Sequence, residues 1–432
     1  MILGDLLQQC YNIVDMLIVG RALGAGALAA VGSAYSLMTF LTSVLIGMCM
    51  GSGSLFSYSI GKRDTARLQY EMTASFSFIG IVTIVMNIVV FVCMKPILNI
   101  LQIPEDIYGM MQEYVWYIFW GIFFVFLYNY FSFLLRAAGD SVVSLVFLGI
   151  SSGLNIVLDL VFIIVFRMGA AGAAYATVIA QGISGILCLL YIAKKVPALY
   201  LHREDWEIDK NLAGWQLKIG LPMALQYSIT AIGTMMVQSA LNILGSTLVA
   251  AFTAASKIEQ VVTQAYVAMG TTMATYGAQN IGAGNVPRIR QGFKACTILG
   301  IGYSLVAATF IMTVGKYMTY LFVSEDVDII MSSVDIYLKC IGLFFIPLAI
   351  VNIYRNGIQG LGYGLLPMMA GVAELIGRGV VARIAARERS YLGVCLASPA
   401  AWVLAGGLLI AMYYYIMNVH MKKMFGDYNQ KV

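Results

Sequence analysis

Long apolar runs, each broken by a short polar loop, follow one another through the whole of the 432-residue chain. Each run is near or above the length of about 20 residues that carries a helix across a bilayer. Twelve are delimited, near residues 1–21, 26–60, 68–94, 105–138, 141–166, 170–194, 213–243, 247–281, 290–315, 327–358, 364–386 and 391–419. Several exceed 25 residues, which calls for helices that tilt or project beyond the hydrocarbon. An outer-membrane barrel would need short alternating segments instead, and these are not the pattern. The expectation is an all-α polytopic membrane protein. Composition agrees: 60% of the residues are hydrophobic and 11% charged, against about 25% charged in soluble domains. The mean hydropathy is +0.85. The first span opens without a basic leader, so a cleavable signal peptide is not expected.

The loops give an orientation. One alternating set carries Lys62, Arg63, Arg67, Arg136, Lys194, Lys195, Arg203, Lys210, Arg288, Arg290, Lys294, Arg355, Lys422, Lys423 and Lys431. The opposite set carries Arg21, Lys95, Arg167, Lys316, Arg383, Arg387 and Arg389. The richer set is expected in the cytoplasm together with both termini, although the basic cluster at 383–389 runs against that rule. The seven cysteines are scattered through apolar runs with no CxxC spacing, and read as small core residues.

The halves of the chain resemble each other. Displaced by 221 residues, Gly24 meets Gly245, Ala34 meets Ala255, Met48 meets Met269, Ile60–Gly61 meets Ile281–Gly282 and Arg67 meets Arg288. Gly172 and Gly393 keep the same offset. Six spans per half give both halves the same orientation, a parallel repeat of two six-helix lobes. The expected division is a first lobe at 1–195, a cytoplasmic linker at 196–212, a second lobe at 213–420 and a tail at 421–432.

Against this apolar background a few polar residues stand out. Asp15 lies inside the first span with Gln8, Gln9 and Asn12 nearby. A carboxylate at that depth costs roughly 3 kcal/mol on insertion scales and is retained when it binds or pairs with something. Asn155 and Asp159 are spaced i, i+4 and share one face of the fifth span. The repeat partners of these residues are Met236 for Asp15 and, at an offset of 223, Arg378 for Asn155 and Ala382 for Asp159. Acids present in one lobe and missing from its twin fit a single cation-coupling site. Two carboxylates with an amide offer hard oxygen donors suited to sodium or a proton, and not to a soft metal. Carboxylates brought close together at low dielectric can share a proton.

The stretches LLQQCYNIVDMLIVGRALGAGALAAVGS at 6–33, LLRAAGDS at 134–141, GLNIVLDLVFI at 153–163, GAAGAAYATVIAQG at 169–182, GLPMALQYS at 220–228 and AQNIGAGN at 278–285 resemble the MATE (multidrug and toxic compound extrusion) family in order and over essentially the whole chain. The resemblance implies a twelve-helix antiporter that exports amphipathic, often cationic compounds in exchange for Na⁺ or H⁺, with no other cofactor and no enzymatic activity. Carried over by position, it implies a first-lobe cation site of Asp15, Asn155, Asp159 and Thr177, with Asp15 and Asp159 holding Na⁺ if sodium is the coupling ion. A further polar position falls near Ser132, where some members have Asn. Family members also have a proline early in the first span. Its place here is at or before Met1, its repeat partner being Pro222, so the expectation is that residues precede Met1 and include it. The 221–245 stretch holds no acid, so a second-lobe acidic site of the seventh span is not expected.

Other residues keep two readings. Glu374 and Arg378 are i, i+4 and read as a self-neutralising ion pair or as a second-lobe gate. Lys257 and Glu259 line a cavity or merely occupy the eighth helix. Gln8, Tyr11, Met235, Met236 and Met269 are candidates for a substrate cavity, and Met suits varied ligand shapes. Trp116 and Trp120 share a helix face. Asp64 and Asn285 read as helix caps, and Arg136 with Asp140 as a gate contact or a solvated turn. The expected partners are small amphipathic molecules and membrane lipids, with no nucleic acid, and the protein is expected to be a monomer in the cell membrane. Two other functions would need features of their own. A lipid-intermediate flippase would want several cationic side chains for a diphosphate, and the spans offer few. An intramembrane aspartyl protease would want GxGD, and the nearest text is Ala137-Ala138-Gly139-Asp140.

Overall fold

The structure, a computed structural model, describes residues 14–15, 18–19, 22–23, 25–100, 105–196, 199, 210–244, 246–321 and 327–422. Most of the first span and of the 196–212 linker lies outside the described residues. Among those described there is no strand.

The first half comprises α1 (Ala25–Lys62), α2 (Thr65–Val92), the short α3 (Met94–Ile100), α4 (Glu105–Trp120), α5 (Ile122–Ala137), α6 (Ser141–Asp159) and α7 (Gly169–Lys195). The second comprises α8 (Lys210–Asn242), α9 (Ser246–Gly282), α10 (Val286–Thr313), α11 (Val327–Gly342), α12 (Phe345–Gly360), α13 (Leu365–Glu388) and α14 (Tyr391–Tyr415). Among the described residues seven helices are long and apolar enough to span a bilayer, and nine if two bent pairs each count as one. The bent pairs are α4–α5, at 46°, and α11–α12, at 52°. α9 is not among the nine; it carries Lys257, Glu259, Gln260 and Gln264 along its length.

The chain falls into two compact units, essentially residues 3–224 and 225–432. The core of the first is built from Phe56, Leu68, Met72, Ile79, Phe126, Tyr130 and Leu134. The Tyr130 hydroxyl in that core is satisfied, since it donates to the Met72 carbonyl at 2.6 Å. In the second unit the buried Tyr266 donates to Ser304 at 3.0 Å. The other faces stay apolar and exposed: Ile81, Ile84, Val85 and Ile88 on α2, and Ile298, Leu299, Leu305 and Val306 on α10. In water such faces would be a liability; in lipid they are the expected surface.

The internal repeat is visible in the backbone. Asp64 caps α2 by accepting from the Arg67 amide, and Asn285, 221 residues on, caps α10 by accepting from the Arg288 amide. The residues just before these caps, Arg63 and Gly284, both have positive φ, 60° and 70°. Gly139 and Gly362 end α5 and α12 with φ of 91° and 90°, a left-handed turn that suits glycine. The two bends also correspond, Gly121 matching Gly342 at the 221 offset. A Cβ on Gly121 would lie 2.2 Å from Val178 of α7, so the bend brings the chain there too close to α7 for any side chain.

Candidate functional site

In the first unit α6 and α7 pack side by side and hold the polar residues between them. Asp140 fixes the start of α6 by accepting from the Val143 amide at 3.3 Å, and it also accepts from the Tyr191 hydroxyl of α7 at 3.0 Å. The Ser151 hydroxyl donates to the Ala180 carbonyl and the Ser184 hydroxyl to the Phe147 carbonyl, which sets the register of the two helices. α7 begins with buried small residues, Ala170, Ala171, Gly172, Ala173 and Ala174. That surface admits the close approach of Phe162, which a Cβ at Gly172 would meet at 3.2 Å.

Phe162 belongs to a π-helical segment, Leu160–Val165, which begins directly after Asp159. Single π turns inside α-helices concentrate at functional sites. Asp159 therefore sits where the helix changes pitch, fully buried at 0% exposure. Asp15 reaches it from the first span, and the two carboxylates lie within hydrogen-bonding reach of one another. On the same face of α6 the Asn155 amide donates to the Thr177 hydroxyl at 3.4 Å.

The acceptors here have no donors among the described residues. Asp15 Oδ1, Asn155 Oδ1 and both carboxylate oxygens of Asp159 are buried without a hydrogen-bond partner. Among the described residues no Lys or Arg pairs with either aspartate. Buried unpaired acceptors cost free energy unless something else supplies positive charge. A small cation among these oxygens, or a proton on one carboxylate, satisfies that requirement, and the all-oxygen donor set fits Na⁺ as well as H⁺.

The other sequence-predicted residues fall elsewhere. Gln8 and Tyr11 lie outside the described residues. Ser132 is buried, but its hydroxyl is hydrogen-bonded to that of Ser144, near the start of α6 and about three turns before Asn155, so it does not join the oxygen cluster. Arg136 and Asp140 do not pair: the guanidinium lies over the Phe133 ring, 5.5 Å from its centroid, while Asp140 serves as cap and as Tyr191 acceptor. Trp116 and Trp120 do share a face, with ring centroids 6.4 Å apart.

In the second unit Glu374 and Arg378 pair at 3.2 Å, and a third partner joins them. Arg355 of α12 donates to the other carboxylate oxygen of Glu374 at 2.6 Å. The pattern of basic residues along the chain puts Arg355 among the cytoplasmic loop charges. It lies inside α12 with a side chain 12% exposed, and so adds nothing to the loop asymmetry. The clue in the sequence was its repeat partner, Ser132 of the first lobe. Glu259 accepts from the buried Tyr337 hydroxyl and lies within electrostatic range of Arg378, whereas Lys257 is exposed on the neighbouring face of α9. Met236, the repeat partner of Asp15, packs its methyl group 2.7 Å from where a Cβ on Gly379 would stand, next to Arg378. Met235 is 68% exposed, and Met269 is half-buried with its sulfur near Gly300. Residues that sequence reasoning passed over include Ser144, Tyr337 and Gln181. Gln181 lies one turn from Thr177 on α7 with its buried carbonyl oxygen unpartnered.

Comparison with known proteins places this geometry. The sequence model of the MatE family matches residues 1–161 and 219–384. The probable multidrug resistance protein YpnP of Bacillus subtilis (strain 168) is 33% identical over 358 residues, covering 82% of this chain and 79% of that protein. The probable multidrug resistance protein YoeA of the same organism is 27% identical over 333 residues, covering 76% and 72%. Among solved structures, an outward-facing multidrug resistance MATE family transporter superposes with a TM-score of 0.92 at 22% identity, covering 98% of this chain and 94% of that one. That likeness establishes the twelve-helix MATE fold, and the sequence match establishes more: this chain belongs to the MatE family of multidrug efflux proteins, and is a polytopic membrane transporter of small molecules and not an enzyme.

Proposed function

We propose that the protein is a secondary antiporter that exports amphipathic, cationic compounds in exchange for Na⁺ or H⁺. The cation is held in the first unit by Asp15, Asp159, Asn155 and Thr177. The observation that carries this reading is the set of four buried acceptor oxygens, from Asp15, Asn155 and Asp159, that have neither donor nor countercharge among the described residues. Entry of a cation removes the cost of burying them, and it favours whichever conformation holds the two aspartates together. A coupling ion can shift a conformational equilibrium only by its difference in affinity between states. Two carboxylates that must converge to bind supply such a difference. In the alternate state the substrate leaves as the cation arrives, and release of the cation to the cytoplasm resets the transporter.

The protein acts in the cell membrane as a monomer with both termini in the cytoplasm, and its lobes are 1–195 and 213–420. The test is efflux of a fluorescent organic cation from proteoliposomes under an imposed Na⁺ gradient and then under a proton gradient. Efflux driven by one of the two supports the reading, and efflux indifferent to both contradicts it.

A further inference from the structure

At one end of the second unit, α10, α12 and α14 enclose a cavity of about 360 Å³ that the antiport reading does not use. Its floor is aromatic. Phe293 packs on Tyr413 with centroids 4.5 Å apart and on Tyr354 at 5.3 Å. Its rim is cationic, with Arg290 and Lys294 one turn apart on α10, and no carboxylate lines it. Arg290 donates to the side-chain oxygen of Asn418 at 2.9 Å. Asn418 lies in a second π-helical turn, Ile416–His420, in which α14 ends. Lys294 is exposed and has no ion-pair partner among the described residues.

The flank of the cavity is of a third kind. Ile298 on α10 and Tyr414 on α14 line it and are 60% and 59% exposed. Leu299 continues that outward face at 66% exposure. Within about four turns of α10 the surface thus passes from the cap Asn285, through Arg290 and Lys294, to bare aliphatic side chains. That gradient is the one met by a bilayer, with headgroups outside, tyrosines at the interface and hydrocarbon beyond. Basic pockets between transmembrane helices suit anionic headgroups, while long basic side chains lay their stems on apolar surface and keep their charge at headgroup level.

We propose that this cavity is a binding site for an anionic phospholipid. The phosphodiester sits between Arg290 and Lys294, the glycerol lies over the aromatic floor, and one acyl chain runs down the Ile298–Leu299 face. A phosphodiester is monoanionic and accepts several hydrogen bonds, which matches a guanidinium, an ammonium and the amide of Asn418. A zwitterionic lipid adds a positive choline to a rim that is already cationic. Free phosphate satisfies the rim and leaves the flank bare.

The test uses the full chain in a neutral detergent. Bound lipid is counted by native mass spectrometry after adding phosphatidylglycerol, phosphatidylcholine or inorganic phosphate, and thermal melting is followed in parallel. Phosphatidylglycerol is expected to bind and raise the melting temperature, with phosphatidylcholine retained at least tenfold less. Arg290→Ala with Lys294→Ala is expected to cut phosphatidylglycerol retention at least tenfold. Arg383→Ala with Arg387→Ala, which removes two exposed charges from the last turns of α13, should leave it within twofold. Lys294→Glu covers the case in which the double variant fails to fold, because an exposed side chain with no ion pair has little structure to lose. Equal retention of phosphatidylcholine, equal loss in both double variants, or displacement of the lipid by an equal concentration of inorganic phosphate would each overturn the assignment.

Discussion

Where the first unit has Ser132, Ser151, Asn155 and Asp159, the second has Arg355, Glu374, Arg378 and Ala382, each at an offset of 223 residues. The helices that carry them correspond, α5 to α12 and α6 to α13. The chemistry does not. In the first unit the two carboxylates lie together with no cationic partner among the described residues, and the helix turns to π pitch directly after Asp159. In the second, Glu374 is clamped between two guanidiniums and α13 stays α-helical through Glu388. A duplicated scaffold has thus been filled in two ways. One leaves a demand for positive charge that a mobile cation can meet. The other meets the demand with the protein's own side chains and so has nothing to exchange.

The contrast is broken most directly by removing one charge from each unit. Asp159→Asn and Asp15→Asn should reduce cation-driven efflux to the level of protein-free vesicles. Melting temperature should hold or rise, because a buried carboxylate without a partner contributes no stability. Glu374→Gln should do the opposite. It leaves Arg355 and Arg378 buried without their shared anion, a loss of about 3–5 kcal/mol. The yield of folded protein and the midpoint of thermal unfolding measure it. A Glu374→Gln protein as stable as wild type would show that the triad is no lock.

The two sides differed in how far they could be read from the sequence. Asp15 and Asp159 were legible because an acid inside an apolar run is costly and the repeat showed it to be unshared. The fold was legible for the same reason, since run length and the 221-residue register leave few arrangements. The triad was only half legible. Glu374 and Arg378 announce themselves by i, i+4 spacing, but Arg355 lies 19 residues before Glu374, near the end of a span, where it reads as a loop charge. What joins them is the pairing of α12 with α13, which no local pattern encodes. The 46° and 52° bends are not marked by run length: the first depends on a neighbour, Val178 against Gly121, and the second has Pro347 in the first turn after the break.

Smaller changes sharpen the comparison. Asn155→Ala and Thr177→Val each remove one oxygen ligand from the proposed set and should weaken cation binding about tenfold, or ~1.4 kcal/mol, while folding is kept. Titration of the purified protein with the coupling cation reports it. The capping pair tests the repeat itself: Asp64→Ala and Asn285→Ala should each cost about 1 kcal/mol, and by similar amounts, because both side chains accept from the amide three residues on. Unequal losses, read from denaturation midpoints, would mean that the two turns share geometry without sharing energetics.

The central claim is that the exchangeable cation belongs to the first unit alone. Charge displacement in proteoliposomes adsorbed on a solid-supported membrane, after a jump in Na⁺ or in pH, tests it without a substrate. A transient current is expected from wild type, no current from Asp159→Asn, and a current of wild-type size from Glu259→Gln, whose carboxylate lies in the second unit. A transient of undiminished size in Asp159→Asn, or one lost only in Glu259→Gln, would contradict the account.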